Sequence, residues 1–188
     1  KPVFLAGIVF DVTERKEMEM DLAQKNKILQ EMSSLDGLTK ISNHRTLVEH
    51  LKACISDAVR TGSPMSIAIF DIDDFKKVND TRGHVFGDQV LARVAAIING
   101  SIRGADLAGR YGGEEFMVLF PDTGLEQAAK VSERIRQVIA DYAFEEGMRV
   151  TVSGGVKQYT GETPAELIHA ADIRLYQAKK NGKNQIVF

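Results

Sequence analysis

The chain has 188 residues, of which 44% are hydrophobic and 27% charged, and its formal net charge is −2. These values exclude a wholly disordered chain and fit one globular domain with a short extension. The weak charge gives no electrostatic reason to expect nucleic acid or a membrane surface as a partner, and no apolar run is long enough to span a bilayer. The single cysteine, Cys54, excludes an intrachain disulfide, so we expect a cytoplasmic protein.

The chain opens on an apolar stretch, KPVFLAGIVF, that is typical of a strand. One strand cannot form a sheet alone, so we expect residues 1–12 to be the end of a truncated upstream domain. Asp11 and Glu14 have the spacing of a capping box, which predicts that a helix begins here.

Residues 13–35 are predicted to form that helix, as a linker before the main domain. Apolar residues recur at steps of four and three, with one polar entry; the five positions are Met18, Leu22, Lys25, Leu29 and Met32. This heptad pattern favours a parallel dimeric coiled coil. The alternative is an amphipathic helix that lies on its own domain.

Residues 36–188 carry the predicted core. In chain order the patterns indicate a buried strand at 66–73, a helix from GDQVLARVAAIING, a hairpin across Gly112 and Gly113, a helix, a strand, a helix and a short last strand. The last helix should begin at Thr163, with Pro164 at its first position and Glu166 completing a capping box, and close at Gly182. The fold class is therefore α/β (α+β), with one mixed sheet flanked by helices.

Two acidic clusters stand out in this domain. Asp71 and Asp73 leave the end of the buried strand in IFDIDDFKKVND, and Glu114 and Glu115 follow the two glycines in GRYGGEEF. Buried carboxylates are costly unless they are compensated, and Mg²⁺ is one compensation. If the hairpin pairs beside the first strand, Asp71 and Glu114 meet. The alternative is that these acids are helix caps and solvated turn residues.

The motifs RYGGEEF and DIDDFKKVNDTRGHVFGD together resemble those of the GGDEF family of diguanylate cyclases. The resemblance extends in order through DGLTKISNHR, VSGGV and ADIRLYQAKKNGKN, and so covers residues 36–188. It implies a mainly antiparallel sheet like that of the polymerase palm and the nucleotide cyclases. More loosely, residues 1–35 resemble the exit of a PAS sensor domain into a signalling helix.

The resemblance implies that two GTP molecules are joined into cyclic di-GMP, with release of two pyrophosphates. Each active site would use two Mg²⁺ or Mn²⁺ ions, held by Asp71, Glu114 and the carbonyl of Ile72. Either Glu114 or Glu115 would remove the 3′-hydroxyl proton. Lys76, Lys179 and Lys183 are implied to neutralise charge developing on the phosphates. Gly112 and Gly113 are implied to let the backbone and the nucleotide approach closely.

Guanine recognition is implied for Asn79 and Asp88, with His84 nearby, because a carboxylate accepts from both N1–H and the 2-amino group. The competing interpretation makes Asn79 a turn residue and Asp88 a helix N-cap. A second site is implied at RGAD, where Arg103 and Asp106 match the family's inhibitory motif for cyclic di-GMP, supported by Arg134. The competing interpretation there is a local ion pair that contributes little.

The family reaction needs two domains facing each other, so we expect a homodimer through the N-terminal helix and across the active site. Two rival hypotheses are a catalytically silent receptor for cyclic di-GMP and a GTP-binding regulatory domain. Receptors of this type typically lack a signature carboxylate, whereas Asp71, Glu114 and Glu115 are all present here. This chain has Ile41 where the family usually has a leucine, and Lys40 and His44 also differ from the family's pattern.

Overall fold

The computed structural model describes residues 34–144 and 147–188, together with the isolated positions Lys16, Met18, Met20 and Lys25. Those four positions are helical and exposed. The chain divides into two units, Lys1–Ser33 and Ser34–Phe188. Several sequence predictions lie outside the described residues. They are the first strand, the helix capping box at Asp11 and Glu14, and the heptad positions Leu22, Leu29 and Met32.

Among the described residues of the second unit, five helices and five strands are present. The helices are α1 (His44–Thr61), α2 (Phe75–Arg82), α3 (His84–Gly100), α4 (Leu125–Asp141) and α5 (Pro164–Lys180). The strands are β1 (Ser66–Ile72), β2 (Leu107–Arg110), β3 (Glu115–Phe120), β4 (Val152–Gln158) and β5 (Ile186–Val187). In the part of the chain that the structure describes, no helix combines the length and the apolar character that crossing a bilayer requires.

The strands form one sheet in the order β2-β3-β1-β4-β5. The three pairings among β2, β3, β1 and β4 are antiparallel, and only β4 and β5 run parallel. The predicted fold class, a mixed and mainly antiparallel sheet flanked by helices, is therefore confirmed. Strand β1 lies at the centre, and all seven of its residues are buried, as its continuous apolar sequence predicts.

Helices cover both faces of the sheet. One face packs Phe70 and Ile72 of β1 against α3 and α4, through side chains such as Val94 and Ile135. The other face packs Ile69 of β1 against α1 and α5, and its buried members include Leu47, Leu51, Leu167 and Leu175. Because side chains alternate along a strand, odd-numbered residues of β1 face α5, and this is the face on which Asp71 emerges.

Local sequence signals explain where two helices begin. Asn43 caps α1 by accepting from the backbone N–H of Thr46 at 2.9 Å. Thr163 and Glu166 form the predicted capping box, and Pro164 occupies the first turn of α5. The helix ends at Lys180 with Asn181 as its C-cap, and the predicted closing residue, Gly182, follows with a φ of 109°. Helices α1 and α2 were not among the sequence predictions.

The hairpin between β2 and β3 differs from the prediction. A two-residue turn was expected at Gly112 and Gly113, but four residues, 111–114, separate the strands. Neither glycine has the positive φ that a type I′ turn requires. The loop is instead closed by the N–H groups of Tyr111 and Gly112, which both donate to the carbonyl of Glu115. Glu114 therefore belongs to the loop and only Glu115 to the strand.

Candidate active site

The site lies where β1 ends beside the β2–β3 loop. Asp71 is opposite Glu115 in the β1–β3 register, and the N–H of Ile72 donates to the carbonyl of Glu114 at 3.4 Å. The hairpin therefore pairs beside β1. This is the pairing under which Asp71 and Glu114 are predicted to lie close together. Two chain segments far apart in sequence thus bring three carboxylates to one edge of the sheet.

Asp71 is the most buried of these carboxylates, with a side chain that is 9% exposed. Lys179 of α5 places its Nζ 2.7 Å from Asp71 Oδ2. Burial raises the pKa of Asp71 to about 6, and the ion pair with Lys179 offsets only part of that cost; the charges of Glu114 and Glu115 add to the rise. A carboxylate held in this way favours a cation close to it.

Gly155 of β4 explains why α5 can deliver Lys179 to this position. A methyl group at Gly155 would overlap the carbonyl oxygen of Ala171 and the backbone nitrogen of Leu175. The helix backbone therefore rests directly on the strand, without a side chain between them. This close approach sets the height of α5 over the sheet, and with it the position of Lys179.

The loop that carries Glu114 is held by Arg110. The Arg110 guanidinium donates twice to the carbonyl of Gly113, at 2.7 and 3.1 Å, and contacts Asp36 at 3.4 Å. Burial alone would raise the pKa of Asp36, but hydrogen bonds from Thr39 and the charge of Arg110 bring it below its ordinary value. The sequence patterns assign no role to Arg110 or Asp36, although Arg110 is the first residue of RYGGEEF and Asp36 the first of DGLTKISNHR.

The two glycines of the loop have different surroundings. A Cβ at Gly112 would lie 2.7 Å from Glu115 Oε2, so a larger residue here would displace the end of the Glu115 side chain. Gly113 is exposed, and a Cβ there would meet nothing within 4 Å. Space for a ligand is therefore open above Gly113.

The chemistry of the donor set fits a hard divalent cation. Asp71 and Glu114 offer carboxylate oxygens and Ile72 a carbonyl oxygen, the ligand types that Mg²⁺ prefers. Within residues 34–144 and 147–188, no three His, Cys, Asp or Glu side chains form a ready-made metal cage. A site with two carboxylates matches the usual Mg²⁺ pattern, in which water and substrate phosphates complete the coordination.

The three predicted phosphate lysines occupy different positions. Lys179 pairs with Asp71, whereas Lys183 lies beyond α5 with its Nζ 2.6 Å from Asp74 Oδ1. The hydrogen bond with Asp74 raises the pKa of Lys183, and the same contact lowers that of Asp74. Lys76 is exposed at the start of α2. The structure therefore pairs two of the lysines with carboxylates at the site.

The predicted guanine contacts come together between α2 and α3. Asn79 lies within α2, and His84 and Asp88 lie one turn apart on α3, where both are exposed. A Cβ at Gly87 would overlap the Asn79 amide oxygen, so the absence of a side chain there lets Asn79 reach the turn that carries Asp88. The alternatives are wrong: Asn79 is helical, and Asp88 is the fifth residue of α3, which begins at His84.

The RGAD motif forms a compact turn at the end of α3. Arg103 Nε lies 3.0 Å from Asp106 Oδ1, which is the local ion pair of the alternative interpretation. Arg103 Nη2 also donates to the carbonyl of Pro121 and to Thr123 Oγ1, at 2.6 and 2.7 Å. Arg134 of α4 donates to the carbonyl of Ser101, so both arginines lie at the same corner.

Comparison with known proteins shows which family this chain resembles. Residues 33–185 match the family described as "Diguanylate cyclase, GGDEF domain". Response regulator PleD of Caulobacter vibrioides is 42% identical over 164 residues, which cover 84% of this chain and 36% of PleD. Diguanylate cyclase A of Treponema denticola is 38% identical over 174 residues, which cover 88% of this chain and 47% of that protein. The chain thus spans between a third and a half of these two relatives.

Solved structures of the same family also superpose on this chain. The GGDEF domain of DgcB from Caulobacter crescentus, determined in complex with c-di-GMP, superposes with a TM-score of 0.80 at 33% identity, covering 82% of this chain and 95% of that one. The active GGEEF domain of a diguanylate cyclase from Vibrio cholerae gives 0.74 at 35% identity, with 77% and 95% covered. The chain therefore belongs to the GGDEF family of diguanylate cyclase domains.

Proposed function

We propose that this protein condenses two GTP molecules into cyclic di-GMP and releases two pyrophosphates. The observation that carries the proposal is the edge where Asp71, Glu114 and Glu115 meet beside Lys179. Relatives named as diguanylate cyclases, and a related domain solved with c-di-GMP, support the same reaction.

Asp71, Glu114 and the carbonyl of Ile72 would hold the divalent cations, two per site and either Mg²⁺ or Mn²⁺. Bound there, the cations would neutralise charge on the phosphates and on the attacking oxygen. Lys76, Lys179 and Lys183 supply further positive charge toward the triphosphate. Gly113 leaves the loop backbone open to the nucleotide, and Gly112, which has no Cβ, would let the two approach closely. Either Glu114 or Glu115 would remove the proton from the 3′-hydroxyl.

Asn79 and Asp88 would select guanine, with His84 at the same end of α3. The Asp88 carboxylate is exposed and accepts from both donors on the Watson–Crick edge of guanine. Adenine has no such donor pair. Arg103 and Asp106, supported by Arg134, would bind cyclic di-GMP and restrain catalysis.

The reaction joins two nucleotides, so two copies of the domain must face each other with GTP in each. We propose a homodimer through the helix predicted for residues 13–35 and across the active site. At low enzyme concentration the rate should then rise with the square of concentration. A rate that stays proportional to concentration on dilution would overturn the two-domain requirement.

A product assay tests the activity itself. The protein is incubated with GTP and Mg²⁺, and the nucleotides are separated by chromatography. Cyclic di-GMP is expected from the wild type, with a loss of at least about a hundredfold for Glu114→Gln, as for removal of a key catalytic group. Glu126→Gln, an exposed acid on α4, is the matched control and should keep full activity. No product from the wild type would contradict the proposal.

A further inference from the structure

The segment after α5 has an uncommon backbone. Gly182, Lys183 and Asn184 have φ angles of 109°, 62° and 46°, so three consecutive residues adopt left-handed conformations. Glycine does this freely and asparagine tolerates it, but lysine has no feature that favours it. Such a backbone persists only where its surroundings hold it in place. The contacts around this loop therefore decide where the Lys183 side chain points.

Asp73 holds the loop from the side of the sheet. Its carboxylate is buried and accepts from Thr151 Oγ1 and Ser153 Oγ, both at 2.7 Å, and from the backbone N–H of Asn184 at 3.0 Å. Three donors on separate positions fix this carboxylate. Asp73 thus links the end of β1, the start of β4 and the loop after α5.

Arg136 holds the loop from the side of α4. The guanidinium is nearly buried and is itself fixed by Glu133, with contacts of 2.6 to 3.0 Å. Its Nη1 donates to Asn184 Oδ1 at 2.6 Å. Asn184 is therefore held twice, through its backbone by Asp73 and through its side chain by Arg136.

Because Asp73 and Arg136 hold Asn184, the position of the preceding residue, Lys183, is also restricted. The N–H of Lys183 donates to the carbonyl of Ala178 at 3.0 Å, and its ammonium lies beside Asp74. Asp74 directly follows Asp73, and Lys179 beside Asp71 lies one helical turn before the loop. The fixed loop therefore presents Lys183 at the same edge of the sheet as the candidate active site.

We infer that Asp73 and Arg136 are positioning residues for Lys183. By fixing Asn184, they hold the loop in the conformation that directs the Lys183 ammonium to the terminal phosphates of GTP. This inference rests on the proposed function, in which Lys183 meets the triphosphate. Neither anchor contacts the nucleotide; both act through the loop.

Nucleotide binding tests the inference. Affinities of the 188-residue chain for 3′-deoxy-GTP, which cannot cyclise, and for GMP are measured by calorimetry in Mg²⁺. Arg136→Ala should weaken 3′-deoxy-GTP binding about tenfold, the equivalent of one charge-assisted hydrogen bond. GMP affinity should change less than about twofold, because GMP lacks the terminal phosphates. Lys130→Ala, an exposed cation on the same helix, should change neither affinity.

A double-mutant cycle separates positioning from a general structural role. Lys183→Ala alone should cost about as much as Arg136→Ala, and combining the two should cost no more than Lys183→Ala. Asn184→Gly provides a second variant, because glycine keeps the left-handed backbone but removes the acceptor for Arg136. It should reproduce the selective loss for 3′-deoxy-GTP, and it carries the test if Arg136→Ala does not fold.

The outcomes distinguish this inference from the proposed function. A wild-type chain that binds 3′-deoxy-GTP no more tightly than GMP overturns the proposed function, and the role of Lys183 with it. A wild-type chain that prefers 3′-deoxy-GTP, but shows additive losses in the cycle or equal losses for both nucleotides, overturns the positioning role alone.

Discussion

Lys179 Nζ lies 2.7 Å from Asp71 Oδ2, at the edge where the central strand meets the last long helix. The contact joins two residues that are 108 positions apart in the sequence and belong to separate motifs. It compensates a carboxylate that the fold has removed from water. The same carboxylate gives a prediction for stability against pH.

Asp71 should make the folded protein less stable as the pH rises from 4 to 7. Its pKa is about 6 in the folded chain, against an ordinary value of 3.8, so the folded state binds the proton more tightly than the unfolded state. Its contribution is fully present below about pH 4 and is lost as the pH rises through 6. Relative to Asp71→Asn, the wild-type free energy of unfolding should fall by about 2 kcal/mol over this range.

Urea unfolding of both proteins in EDTA measures this difference. Asp74→Asn is a matched control with the opposite sign, because Lys183 lowers the pKa of Asp74. The contribution of Asp74 is present above its unfolded pKa and is lost as the pH falls. Parallel stability curves for the wild type and Asp71→Asn would contradict the prediction.

Gly155→Ala should destabilise the fold by about 3 kcal/mol, at the upper end of what overpacking costs. The new methyl group overlaps backbone atoms of α5, which cannot move aside as a side chain can. Urea denaturation gives the loss, and Gly37→Ala is the control, since a Cβ there meets nothing within 4 Å. A loss below about 0.5 kcal/mol, the usual range for surface changes, would show that α5 shifts freely.

Gly87→Ala should raise the KM for GTP about tenfold by displacing the Asn79 amide, which amounts to one lost hydrogen bond. The overlap involves a side-chain end, so the fold should tolerate it better than Gly155→Ala. Initial rates of cyclic di-GMP formation over a range of GTP concentrations measure the effect. Gly100→Ala, on the same helix with open space around it, should leave KM unchanged. Equal KM values for both variants would remove Asn79 from guanine recognition.

Arg103→Ala should raise the amount of cyclic di-GMP at which synthesis stops, several-fold or more, because the product would lose its guanidinium partner. Reaction plateaus at saturating GTP measure this. Arg60→Ala is a close control, since Arg60 also forms an ion pair of i,i+3 spacing with an aspartate, at 2.7 Å. A plateau that is the same in both variants would show that the Arg103–Asp106 pair is only structural.

The sequence by itself determined what depends on local pattern. The continuous apolar run gave the buried central strand, and Thr163, Pro164 and Glu166 gave the start of α5, because capping and strand burial depend on neighbouring residues. The motifs gave the family, and with it the residues expected at the site. The predicted hairpin length is wrong because a glycine pair does not by itself fix the turn, whereas hydrogen bonds to the carbonyl of Glu115 set the length of the loop.

Only the tertiary structure decided which distant groups meet. Asp73 resembles Asp71 in sequence, yet Asp71 pairs with Lys179 while Asp73 is bonded to β4 and to Asn184. Arg136 carries no sequence signal that links it to Lys183. A hydrogen bond or ion pair depends on positions in space to within about half an ångström, and the packing of α4 and α5 on the sheet sets those positions. Spacing along the chain does not contain that information.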